Sequence, residues 1–201
     1  DYMVPVALGT QTAGSVIRPA SYCGTFAYVG SRDEFSLRNI QPLSAASDSL
    51  GIFANSLEDI ELLRRVLQHA KSPFQSKEGD RYAFKFAVFE GKDLHPAEEV
   101  VYEKLTATKE HLVENGFSYV DLSLDDMIGE LTECQINIMS YEVARNLLYE
   151  YSTGKISQQL IELIETGLAQ SYQQWLDNTK RVAVLSRQFD ELLEQHQIDF
   201  V

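Results

Sequence analysis

The chain opens with an apolar run, Met3-Val-Pro-Val-Ala-Leu8, followed by a small, polar segment from Gly9 to Gly14 and then by Ser15-Val-Ile leading into Arg18-Pro19. The run predicts a buried strand, with Pro5 at its start or on a sheet edge, because proline lacks the N–H that a central strand donates. Pro19 suits the first turn of a helix and not its interior. Strand, glycine-bounded loop and helix start are thus expected in close succession. Phe26–Val29 reads as a short strand, followed by an irregular stretch to about Gly51. Ser56 precedes Asp59 by the spacing of a capping box, and Ile60, Leu63, Val66 and Leu67 then share one helical face.

The polar run Lys71–Asp80 predicts a surface connection. Phe84–Phe89 reads as a strand, and Pro96 opens a helix with Val101, Leu105, Thr108 and Leu112 in a stripe. Asn115-Gly116 closes that helix, and Phe117–Leu122 is again a strand. The β-α-β order predicts a parallel pair. From about Asp126 to Gln195 the pattern is almost wholly helical, with Ile136, Met139, Val143 and Leu147 in helical register. Gly154 and Gly167 read as punctuation there, and an amphipathic segment runs on to Leu193. The fold class expected is α/β: a mixed sheet core flanked by helices, with a largely helical C-terminal half. Met3–Leu8 and Gln197–Val201 read as strands close to the chain ends, and the expectation is an internal part of a longer protein.

Composition narrows the partners more than the fold. The 201 residues are 44% hydrophobic and 23% charged, which is ordinary for a globular protein. A net charge of −13 and a pI near 4.7 weigh against nucleic acid and anionic membranes as partners. No apolar run approaches the roughly 20 residues of a transmembrane helix. Cys23 and Cys134 stand far apart, without a disulfide framework, and suit a reducing, cytoplasmic setting. Cys23 is expected in the core. Neither a cofactor nor a metal site is expected, and the sequence does not define an oligomeric state.

The loop at Gly9–Ser15 is where chemistry could reside. A serine hydroxyl is a weak nucleophile that needs a base, and the oxyanion formed at an attacked carbonyl needs donors. Thr12, Ala13, Gly14 and Ser15 carry side chains small enough for a carbonyl to reach their backbone N–H groups. From composition alone the same residues also read as a tight polar turn. A phosphate-binding loop is rejected, because the residues after Gly14 are Ser15-Val16 where that motif needs lysine and then serine or threonine. The histidines, His69, His95, His111 and His196, belong to no motif and read as solvated.

The stretch Gly9-Thr-Gln-Thr-Ala-Gly-Ser-Val-Ile-Arg-Pro-Ala-Ser-Tyr-Cys-Gly24 resembles the core of the amidase signature family. Ser47-Asp-Ser-Leu-Gly51 and Phe53-Ala-Asn-Ser-Leu-Glu-Asp59 are similar to the family's next characteristic runs, and Tyr141–Arg145 to one of its later helices. The resemblance implies an amidase-signature fold, incomplete here. Residues 1–201 would be an internal part of a single amidase domain, with the nucleophile loop and signature region in 1–70. The β-α-β and helical substrate-side region would occupy 81–201. It implies that Ser15 is the nucleophile, that the N–H groups of Thr12, Ala13, Gly14 and Ser15 form the oxyanion hole, and that the substrate is a small-molecule amide. The family's second serine and its lysine precede the nucleophile, and the chain begins fourteen residues before Ser15. The fragment alone is therefore expected to be inactive. Ala13-Gly14 replaces the family's Gly-Gly, Gln11 replaces the aspartate of the tRNA-dependent amidotransferase branch, and Phe26–Ser31 departs from the family's Gly-Phe-Lys-Pro-Thr run. The alternatives are a non-catalytic binding relative and the ammonia-releasing component of an amidotransferase.

Overall fold

The computed structural model describes residues 3–68, 84–91 and 97–201. The expected connection at 71–80 and the expected helix opening at Pro96 lie outside these residues. The chain divides into two compact units, one formed by 1–74 and 135–178 and the other by 75–134 and 179–201.

The first unit is built on a three-stranded antiparallel sheet in the order β1 (Val6–Gln11), β3 (Ser49–Ala54), β2 (Phe26–Val29). Pro5 immediately precedes β1, which is an edge strand, as its missing N–H requires. The strand is only half-buried and runs on through Gly9-Thr10-Gln11, so the predicted buried strand at 3–8 is displaced toward the loop. β3 falls at the end of the stretch read as irregular. Its Leu50, Ile52 and Ala54 share one face and form a core with Phe35 and Ile60.

Ile60 belongs to helix α2 (Leu57–Leu67), which starts where the capping box predicts: Ser56 Oγ accepts from the Asp59 N–H at 3.1 Å and donates to the Asp59 carboxylate at 2.8 Å. Leu63 and Leu67 pack on this core, whereas Val66 is exposed, off the predicted face. The same side of the unit holds a polar cluster around Glu34, whose carboxylate accepts from Tyr28 Oη, the Ser31 N–H, Arg64 Nε and Gln68 Nε2 at 2.6–2.9 Å. Burial alone would raise the Glu34 carboxyl; the bonds from Tyr28, Arg64 and Ser31 outweigh it and hold the group below its ordinary value. A carboxylate with a depressed folded-state pKa stabilises the fold above its unfolded value, and that contribution is lost as pH falls through the folded value. Glu34→Gln is therefore expected to lower the melting temperature at pH 7, with the gap to wild type closing on acidification. A gap that stays constant down to about pH 3, below the unfolded carboxylate value, would contradict this account.

Three further helices complete the first unit: the second part of α4 (Asp125–Asn146), α5 (Leu148–Thr153) and α6 (Gln158–Leu168), with the start of α7 (Tyr172–His196). Val143, Ala144, Leu147 and Ile164 form their core. Gly154, at φ 66°, ends α5 in the left-handed conformation that glycine adopts without strain. Gly167 does not punctuate: it lies inside α6, facing α4, where a Cβ would fall 1.8 Å from the Ser140 carbonyl oxygen. Ile136, expected in the apolar stripe of α4, is 47% exposed.

The second unit contains the predicted β-α-β element: β4 (Lys85–Phe89) and β5 (Ser118–Leu122) pair in parallel across α3 (Glu99–Glu114). Phe200 bridges the other side of β4 and stacks on Phe86 at 5.8 Å between ring centroids. Leu105 and Leu112 of α3 are half-buried, whereas Val101 and Thr108 are exposed. A bidentate ion pair joins Arg181 of α7 to Glu130 of α4. Among the described residues, no helix is long and apolar enough to cross a membrane.

Candidate functional site

The sheet of the first unit places the loop that carries Ser15. β1 ends at Gln11, the chain bends through Thr12, Ala13 and Gly14, and α1 (Ile17–Cys23) begins two residues after Ser15. Val16 anchors this turn and is fully buried. Gly9 and Gly51 are direct partners across β1 and β3, and a Cβ at Gly51 would meet the Val16 methyls at 2.7 and 2.8 Å. Two glycines thus leave a hollow in the sheet that one valine side chain fills. Ser15, one residue earlier, is exposed.

Helix α1 has no cap from its own N-cap residue; instead, the Gln11 side-chain carbonyl accepts from the Val16 and Ile17 N–H groups at 2.9 and 3.0 Å. One side chain thereby spans the loop and satisfies two of the donors that a helix start leaves open. Among the described residues, the N–H groups of Thr12, Ala13, Gly14 and Ser15 donate to nothing, and the Ser15 hydroxyl has no hydrogen-bond partner. Gly14 is not required by packing, since the nearest heavy atom to an added Cβ is Arg18 Cβ at 4.0 Å.

Side chains from the first unit hold the loop from beneath. Thr12 Oγ1 donates to Asp48 at 2.6 Å, and the other Asp48 oxygen accepts from the Leu43 and Ser44 N–H groups at 2.8 and 3.0 Å. Ser44 Oγ in turn donates to Glu142 of α4, which also accepts from the Ala46 N–H and from Trp175 Nε1. Gln135, two turns earlier on α4, donates to the Thr12 carbonyl at 3.4 Å. Sequence reasoning gave no role at the loop to Gln11, Asp48, Gln135 or Glu142. Gln11, Asp48 and Glu142 stand within the family-like runs, but their partners are set by loop geometry or lie far off in the chain. Gln135 stands in none of those runs.

Other candidates fall away. Cys23 is exposed at the end of α1, contrary to the core position expected, because the α1 residue that turns inward is Ala20. Cys134 is buried, and burial, reinforced by the Glu130 and Glu133 carboxylates, pushes its thiol above the ordinary value, away from the reactive thiolate. Arg18 is exposed and forms no ion pair among the described residues. His111 is exposed on α3 and His196 ends α7, while His69 and His95 lie outside the described residues.

Comparison with known proteins agrees with this fold. The family model for amidases matches residues 2–198, and the chain belongs to the amidase family. The glutamyl-tRNA(Gln) amidotransferase of Persephonella marina has, in its A component, a relative 25% identical over 169 residues, covering 84% of this chain and 32% of that protein. A solved amidase superposes with a TM-score of 0.79 at 25% identity, over 94% of this chain and 42% of its own. The allophanate hydrolase of Kluyveromyces lactis shares the fold, with a TM-score of 0.74 at 18% identity over 95% of this chain and 33% of that one. The chain spans about a third of the length of the curated relatives it matches.

Proposed function

We propose that this chain carries the nucleophile and oxyanion loop of an enzyme that cleaves carboxamide C–N bonds. The observation that carries the reading is the Thr12–Ser15 loop on the amidase fold, whose N–H donors and serine hydroxyl have no partner among the described residues. In the step proposed, Ser15 Oγ bonds to the amide carbon, the carbonyl π electrons move onto oxygen, and the backbone N–H groups of Thr12, Ala13, Gly14 and Ser15 donate hydrogen bonds to the oxyanion so formed. Collapse breaks the C–N bond and releases the amine with a proton. Water then attacks the Ser15 ester, freeing the acid and restoring the hydroxyl. Residues 1–201 read as an internal part of one amidase domain, in keeping with a family match over nearly all of them.

The base that takes the Ser15 proton comes, on this reading, from the family's serine and lysine upstream. Lys155, the lysine among the described residues of the first unit, is exposed in the turn before α6. The isolated chain is therefore expected to release no ammonia from benzamide. The whole protein is expected to give, on acid quenching during benzamide turnover, a benzoyl ester on the peptide containing Ser15. Turnover by the isolated chain would refute the missing-base argument, and an ester on another residue would refute the nucleophile.

A second reading, the ammonia-releasing component of a tRNA-dependent amidotransferase, is favoured by the names of several curated relatives. Gln11, where that branch has aspartate, weighs against it. Ammonia released from glutamine in preference to simple amides would select it.

A further inference from the structure

We propose that Asp48 is a positioning residue for the oxyanion loop, acting through the hydroxyl of Thr12. The inference rests on the reading of Thr12–Ser15 as that loop. A loop whose N–H groups stay free for an oxyanion lacks the backbone bonds that normally fix a turn, so side chains must supply its placement. Gln11 does so at the exit, through the Val16 and Ile17 N–H groups. At the entrance the tether is Thr12, and the short bond from its Oγ1 to Asp48, 2.6 Å, is the stronger of its two restraints.

Asp48 suits this task because it is itself immobilised. It is 7% exposed, and its two oxygens accept from one hydroxyl and two backbone N–H groups. All three partners are donors, which matches an acceptor-only carboxylate. An asparagine in its place could turn its NH2 group toward Thr12, whose hydroxyl would then accept, so the tether is tested by removing the side chain's acceptors and not by the amide. The segment that binds Asp48 is anchored in turn by Glu142, through Ser44 Oγ and the Ala46 N–H. The Thr12 N–H is thus placed relative to α4 by a continuous set of directed bonds, not by the sheet alone.

The test uses the whole protein with benzamide hydrolysis as the readout. A second readout is phosphonylation of Ser15 by a fluorophosphonate, in which a serine O–P bond forms as the P–F bond breaks and fluoride leaves. Thr12→Val keeps shape and burial but removes the hydroxyl. It is expected to lower kcat by about 10- to 100-fold, with KM within about threefold of wild type, as for a misplaced oxyanion donor. Thr12→Ser, which restores the hydroxyl, is expected to recover most of that loss. Asp48→Ala, which removes the acceptor altogether, should match Thr12→Val if it folds, and the double variant should be little worse than either single one, as for residues acting as a unit. A Thr12→Val enzyme with kcat within about twofold of wild type overturns the proposal, as does a Thr12→Ser enzyme no better than Thr12→Val. Ser15→Ala separates the two levels. Lost turnover there with an unaffected Thr12→Val sinks only the positioning role. Retained turnover, or a wild-type protein that neither hydrolyses benzamide nor is phosphonylated at Ser15, overturns the site reading and this proposal with it.

Discussion

Ser15→Ala in the whole protein is expected to reduce amide hydrolysis by on the order of 10⁴- to 10⁶-fold, the loss seen when a serine nucleophile is removed from an otherwise intact site. The change deletes one oxygen, which is exposed and bonded to nothing among the described residues. Folding should therefore be almost indifferent to it, with a stability change within about 0.5 kcal/mol, as for surface substitutions. The combination is diagnostic: a thermal melt superimposable on wild type together with lost turnover assigns the loss to chemistry. Retained hydrolysis would end the nucleophile assignment.

Gly167→Ala is expected to produce the opposite signature, a large loss of stability. A Cβ at that position would lie 1.8 Å from the Ser140 carbonyl oxygen, 2.4 Å from its carbon and 2.8 Å from the Ala144 Cβ. Two of those neighbours are backbone atoms of α4 and cannot swing aside, so α6 must move as a body away from the core of Val143, Ala144, Leu147 and Ile164. That movement would also stretch the bonds from Gln170 to Ser140 Oγ and from Arg145 to the Gly167 carbonyl. Overpacking typically costs about 1–3 kcal/mol, and a clash with backbone that cannot yield belongs at the upper end; about 3 kcal/mol lowers the melting temperature of a chain of this size by roughly 6–12 °C. An alanine variant melting within about 2 °C of wild type would show that the helices are not in this close contact.

The two positions also mark what the sequence could and could not reveal. Periodicity located α2, α3 and the parallel pair β4–β5, because each carries its own pattern and its own start and stop signals: Ser56 with Asp59, and Asn115 with Gly116. β3 was hidden because Gly51 interrupts its apolar run; the reason for that glycine is Val16, thirty-five residues away. Gly167 looked like a break for the same reason, since a glycine chosen for close packing cannot be told from one chosen for a turn without the partner helix. At the candidate site, the loop residues were legible through their resemblance to a family motif. The tethers were not, because Thr12–Asp48 and Gln135–Thr12 are bonds between segments far apart in the chain. Cys23 shows the converse error, an apolar residue type placed by habit in a core that the turn of α1 denies it.

The wedge of Val16 between Gly9 and Gly51 has a consequence for how the chain avoids pairing wrongly. Among the described residues β1 pairs with β3 alone, and a slip of one residue in that pairing would turn every β1 side chain to the other face. A slip here would put Leu8 or Thr10 opposite Gly51 in place of Gly9. Either side chain would fill the hollow, and Val16 would be left in water. Only the correct alignment lets the valine seat, so the residue next to the proposed nucleophile also proofreads the strand that delivers it.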